Sequence, residues 1–114
     1  MSMNEAARES FRAVLETEGE PLEVVNPDGV VTEILALIAR THSGRGDRDY
    51  GARQTGERVT VMAEDLATLG MPVGDDVRAW SAMRGGVRRK LRSAQWADMA
   101  RATVRLDISL EEFT

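Results

Sequence analysis

Turn-forming residues cut this chain into segments too short for most architectures. Gly19 and Pro21, the run Asn26-Pro27-Asp28-Gly29, the glycines between Thr41 and Gly56, then Gly70, Pro72-Val73-Gly74-Asp75 and Gly85-Gly86 interrupt it at close intervals. Short apolar and β-branched runs lie between them, as in a small antiparallel sheet. A chain of 114 residues has room for one hydrophobic core, and so for one domain.

One helix is expected, over Asn4–Thr17. Asn4 suits the N-cap, Glu5 falls in the first turn, and Ala7, Phe11, Val14 and Leu15 share an apolar face. That face must cover either its own sheet or a neighbouring subunit, which makes Phe11 and Leu15 candidate contact residues. Strands are expected at Leu22–Val25 and Val30–Ala39 around the N-P-D-G turn, then at Glu57–Ala63, Asp76–Ala82 and Ala102–Ile108. Val30–Ala39 has enough helix propensity from Glu33 onward to compete with strand. Val87–Trp96 fits either a basic helix or a strand after the Gly85-Gly86 turn. Glu64–Gly70 reads as a short helical turn stopped by Gly70. Thr41–Gly56 holds no large aliphatic side chain and reads as a mobile loop. Residues 109–114 read as a loose tail. Together these segments predict a small antiparallel β-barrel or sandwich with an N-terminal amphipathic helix.

Charge is unevenly distributed along the sequence. The chain has 15 Lys/Arg against 19 Asp/Glu, for a net charge of −4. Yet from Arg78 to Arg105 the bases are Arg78, Arg84, Arg88, Arg89, Lys90, Arg92, Arg101 and Arg105, and the one acid is Asp98. An acidic chain is a poor general coat for nucleic acid, but its basic segment can still meet phosphate or an acidic protein surface. With no cysteine there is no disulfide or thiolate zinc site, as in an intracellular protein. No apolar run approaches the ~20 residues of a membrane span, and the polar start has no signal-peptide core.

Little in the sequence resembles catalysis, and no cofactor or metal is expected. His42, the single histidine, sits in the polar loop with no orienting partner, and adjacent Ser43 does not make a nucleophile–base pair. Glu64-Asp65 and Asp75-Asp76 lack the alternate oxygen spacing of a calcium loop and read as turn and helix-start residues. Gly44-Arg45-Gly46-Asp47 lacks the lysine and hydroxyl of a phosphate loop. Trp80 and Trp96 read as core or interface aromatics, with base stacking beside the arginines as the alternative. Val87-Arg88-Arg89-Lys90-Leu91-Arg92 is either a solvated strand face or a contact surface.

The order of these segments resembles the lambda-type head–tail joining proteins of long-tailed bacteriophages. The resemblance is carried by the helix at Asn4–Thr17, the strand–turn–strand at Leu22–Ala39 and the polar loop at Thr41–Gly56. It continues with a strand running into Glu64-Asp65-Leu66, the turn Pro72–Val77, the Gly85-Gly86 hairpin and the closing Ala102-Thr103-Val104-Arg105-Leu106. Nearly the whole chain is covered. It departs from the family pattern between Val87 and Arg101, which is more basic here. The resemblance implies a non-enzymatic barrel in the virion neck, assembled in the host cytoplasm as a ring of six copies. That ring would lie between the portal or adaptor and the tail, completing the filled head and docking the tail. A tail terminator or tail-tube component is the neighbouring alternative. A small nucleic-acid-binding barrel is the alternative from another class. Candidate interaction residues are Arg45, Arg48 and Arg53 in the loop, Arg88, Arg89, Lys90 and Arg92 in the basic cluster, and Phe11 and Leu15 on the helix; loop arginines are also candidates for touching channel DNA.

Overall fold

The computed structural model describes residues 3–39 and 56–113. Elements run in the order α1 (Met3–Glu18), β1 (Glu20–Val25), β2 (Val31–Ile38), β3 (Gly56–Met62), α2 (Ala63–Leu69), β4 (Ser81–Arg84), β5 (Val87–Trp96) and β6 (Thr103–Glu112). The six strands close into an antiparallel barrel in the order β1-β2-β3-β6-β5-β4. Closure leaves no free sheet edge, the feature that most often causes unwanted strand pairing.

Alternation of side chains decides what fills the barrel. Val59, Val61, Val104, Leu106 and Ile108 point inward from β3 and β6, and Leu22, Val24 and Ala36 do so from β1 and β2. Leu91 and Ala94 add the contribution of β5. Val87–Trp96 is therefore a strand, with register shifts between Arg89 and Leu91 and between Leu91 and Ser93. The shifts explain why neither a helical nor a two-residue period fitted it cleanly in sequence. β2 is likewise strand throughout, paired to β1 from Val31↔Val25 to Ala36↔Glu20.

Two turns behave as their residues dictate. Asn26 Oδ1 accepts from the backbone N–H of Asp28 and of Val30, each at 2.9 Å, and so closes the β1–β2 hairpin. Gly85 and Gly86 both have positive φ, 62° and 80°, as a two-residue hairpin turn requires.

α1 packs on β2 and β3, so it covers the chain's own sheet. Leu15 is buried there, Phe11 half-buried, and Val14 largely exposed. α2 and the segment after it close one end of the barrel. Leu66, Met71, Val77 and Trp80 are buried in the core, and the N–H of Gly74 donates to the Ala94 carbonyl at 2.7 Å.

Asn4 lies inside α1, which begins at Met3, and is not its N-cap. Two further sequence expectations need correction. Asp76–Ala82 is not a strand until Ser81. Asp76 Oδ1 accepts the Arg78 N–H at 2.9 Å, and the Trp80 N–H bonds the Val77 carbonyl at 2.9 Å, so the chain turns instead of extending. The inward residues are Val77 and Trp80, three apart, while Ala79 is exposed. The side-chain bonds from Arg78 also hold the Asp76 carboxyl down to about 2. The second correction concerns the C-terminus: β6 continues to Glu112 and the Phe113 N–H donates to the Arg88 carbonyl at 2.7 Å, so most of 109–114 is bound.

Candidate interaction surfaces

Barrel order places the charged flanks. With six strands in a closed ring, β2 lies opposite β5 and β3 opposite β4. α1 on β2 and β3 presents Glu5, Glu9, Glu16 and Glu18 against Arg8 and Arg12, with Glu64 and Asp65 of α2 beside them. The far flank carries Arg88, Lys90 and Arg92 of β5 and, on neighbouring β6, exposed Arg105, while Arg89, the register partner of Ala82, lies on the inward side. One molecule thus has an acidic side and a basic side, set apart by the width of the barrel.

The basic run also has internal tasks. Arg88 Nε donates to Ser81 Oγ at 2.7 Å, and its guanidinium lies 4.2 Å from the centre of the Phe113 ring. Arg89 donates to the Leu110 carbonyl, and Lys90 pairs with Glu111 at 3.6 Å. These side chains hold the end of β6 and Phe113 against β5. Arg92, near the register shift, remains exposed.

Arg84 has a different position. It shares the inward side of β4 with Ala82, and Glu57 shares the inward side of β3 with Val59. Arg84 Nε and Nη2 donate to the two Glu57 oxygens at 2.7 and 3.1 Å. β3 and β4 are not neighbours, so this fork spans the mouth of the barrel opposite α2. The bond to Glu57 raises the Arg84 pKa, with Glu20 adding a weaker attraction.

The β5–β6 connection, residues 97–102, is a constructed tip. Asp98 Oδ1 accepts from the Thr103 N–H at 2.9 Å, the Thr103 hydroxyl at 2.7 Å and the Ala102 N–H at 3.1 Å. Arg101 has φ of 58°, unusual for a residue with a side chain, and its guanidinium sits 5.3 Å from the Trp96 ring centre. Met99 is fully exposed and Trp96 is 40% exposed. Desolvation opposes ionisation of Asp98, but the bonds from Thr103, Ala102 and Ala100 outweigh it and lower its pKa. A depressed carboxylate stabilises the folded tip above its unfolded pKa near 3.9 and loses that contribution as pH falls through the folded value. Amide exchange at Ala102 and Thr103 is therefore expected to accelerate in acid before the core amides do. Asp98→Ala should produce the same acceleration at neutral pH, at a cost on the order of 1 kcal/mol.

The sequence candidates distribute as follows. Arg88, Arg89, Lys90 and Arg92 lie together on β5, while Leu15 is used inside the molecule and offers no surface. Trp80 is a core residue, so the two tryptophans do not form a stacking pair. Arg45, Arg48, Arg53, His42, Ser43 and nearly all of the Thr41–Gly56 loop lie outside the described residues. The Asp98 tip was missed in sequence; its signal was an aspartate followed four and five residues later by Ala102 and Thr103. The Arg84–Glu57 fork had no sequence signal, because its partners are 27 residues apart. Among the described residues no cluster of His, Asp or Glu could hold a metal ion, and no helix is long and apolar enough to cross a membrane. No protein-family model matches the chain, and no curated protein matches it.

Proposed function

We propose that this barrel is a structural protein of a phage or prophage particle that assembles as a ring where the head meets the tail. The observation that carries this reading is the placement of an acidic helix flank opposite a basic strand flank on one closed barrel. Such a molecule is complementary to copies of itself in a head-to-tail sense, and head-to-tail contacts close into rings when the rotation permits. The order of segments described above supports the same reading. β2 ends and β3 begins at the barrel end away from α2, and portal or adaptor proteins on one side and tail proteins on the other would be the partners.

A ring of this kind works by contact and carries no chemistry. Its role would be to cap the packaged head and give the tail a surface of matching symmetry. Complementation tests this directly. Purified protein added to a lysate of particles lacking it should restore infectious virions, and Arg105→Glu, a change on the exposed face of β6, should restore far fewer. Failure of the wild-type protein to restore any would remove the proposal.

A nucleic-acid-binding barrel has one observation in its favour, exposed Trp96 beside Arg101. It predicts tight binding to free single strands that weakens steeply with salt. A joining ring predicts little affinity for free DNA.

A further inference from the structure

Closure gives every strand two neighbours, but β2 is not paired to both along its whole length. It meets β1 from Val31 to Ala36, and β3 only from Ala36 to Ile38. Two hydrogen bonds fix which way its backbone groups point. The Asn26 N–H donates to the Val30 carbonyl on the β1 side, and the Ala39 N–H donates to the Arg58 carbonyl on the β3 side. Even-numbered residues of β2 therefore bond towards β1 and odd-numbered residues towards β3. The chain leaves β3 at Met62 and enters α2, so no strand lies beside Val31 and Glu33 on that side. Among the described residues nothing bonds their backbone N–H and C=O groups there. Both residues are exposed, Val31 at 49%, and adjoining Val30 is 56% exposed. The matching overhang of β1 beyond β4 is guarded. After Val25 and Glu23, the next β1 residue whose backbone faces that side is Pro21, which has no N–H to offer. β2 has no proline at Val31 or Glu33.

Charge decides what can use this overhang. Glu33 stands directly opposite exposed Glu23 on β1, and among the described residues no cation pairs with either. Like charges in that position cost stability. Pairing with the β2 of a second copy would bring two more carboxylates to the same face. We propose that Val31–Glu33 is a docking edge for an extended, basic segment of a partner protein, which adds a strand beside β2. The added backbone bonds the N–H and C=O groups of Val31 and Glu33. A lysine or arginine opposite Glu33 neutralises the carboxylate pair, and an apolar neighbour two residues away covers Val31. The edge belongs to a single copy, so this inference and the joining role stand or fall separately.

The probe is the end-blocked peptide Thr-Val-Thr-Lys-Thr-Val-Thr, whose lysine and valines share one face of a strand. With the intact chain, amide exchange at Val31 and Glu33 should slow by about ten-fold at ten times the dissociation constant. Changing the peptide's lysine to glutamate, or N-methylating its lysine and valines, should abolish that protection. Glu33→Lys should reverse the preference in favour of the glutamate peptide. Val31→Pro removes an edge N–H and no described hydrogen bond, so it should weaken docking with the fold retained. Should that variant not fold, the N-methylated peptide makes the same test on the unaltered chain. Exchange unchanged by the lysine peptide, or slowed equally by its N-methylated form, would overturn the proposal. Protection that rises with protein concentration alone would also overturn it, by assigning the edge to a second copy.

Discussion

Leu106→Ala is expected to destabilise the protein by about 2–5 kcal/mol. Leu106 lies midway along β6, paired with Val59 on one side and Ala94 on the other, and all three are essentially inaccessible to solvent. Barrel strands are fixed on both sides by hydrogen-bonded neighbours, so the void left by the side chain cannot collapse easily. Single domains are stable by only about 5–15 kcal/mol, so this one change removes a large share. A urea titration should show a lower midpoint with little change of slope. Arg105→Ala is the internal control. Its side chain is one residue away on the outer face and exposed, so its change should stay within about 0.5 kcal/mol. Equal effects from the two substitutions would mean that β6 does not face the core as described.

Arg84→Ala is the second large expected effect, at about 1–3 kcal/mol. The loss has two parts. Two charge-assisted hydrogen bonds disappear, and the Glu57 carboxylate loses the guanidinium that forks it at the barrel mouth. Side-chain exposures of 24% for Arg84 and 36% for Glu57 keep the cost below that of a fully buried pair. Arg84→Lys should recover only part of the loss, because an ammonium cannot match the two-pronged geometry. Arg84→Met combined with Glu57→Leu should be milder than Arg84→Ala alone, since both halves of the fork are then replaced by apolar groups of similar size. A double-mutant cycle on thermal stability reads these terms. If Arg84→Ala were silent, the fork would be a solvent-exposed contact and the mouth would be closed by other residues.

The barrel could be read from sequence wherever a two-residue period coincided with glycine or asparagine turns. The strand expected over Ala102–Ile108, found as β6 from Thr103 to Glu112, and the Asn26–Gly29 hairpin are examples. Legibility failed where side chains bond the backbone. Asp75 and Asp76 fold the chain at a place where D-V-R-A-W-S-A alternates like a strand. It failed again at the C-terminus, where Arg88, Arg89 and Lys90 bind residues more than twenty positions further on. The basic run was visible as a charge cluster. Its partly internal employment was not, because pairing of β5 with the far end of β6 is a tertiary fact. The same reason hid the Arg84–Glu57 fork. The candidate surfaces show a parallel split. Segregation of charge along the chain was visible, but its placement on opposite flanks follows from the strand order. Leu15 illustrates the converse: an apolar helix face marks burial without telling whether the cover is a partner or the chain's own sheet.

The fold and the proposed role connect through that strand order. A closed barrel keeps its backbone bonds to itself, so copies are left to recognise one another by side chains on the flanks and tips. Arg88 and Lys90 serve both purposes, since they tie down the C-terminal residues and contribute to the positive flank, while Arg89 lies on the inward side with Ala82 and Leu91. Substitutions there should be judged against a folding control for that reason. Arg105, exposed on the outer face of β6, is a better probe of assembly.

Electron microscopy of particles from a strain lacking this gene tests the joining role most directly. Filled heads and finished tails lying unattached is the predicted result. Intact, tailed virions would contradict it, and tails of uncontrolled length would assign the protein to tail termination instead.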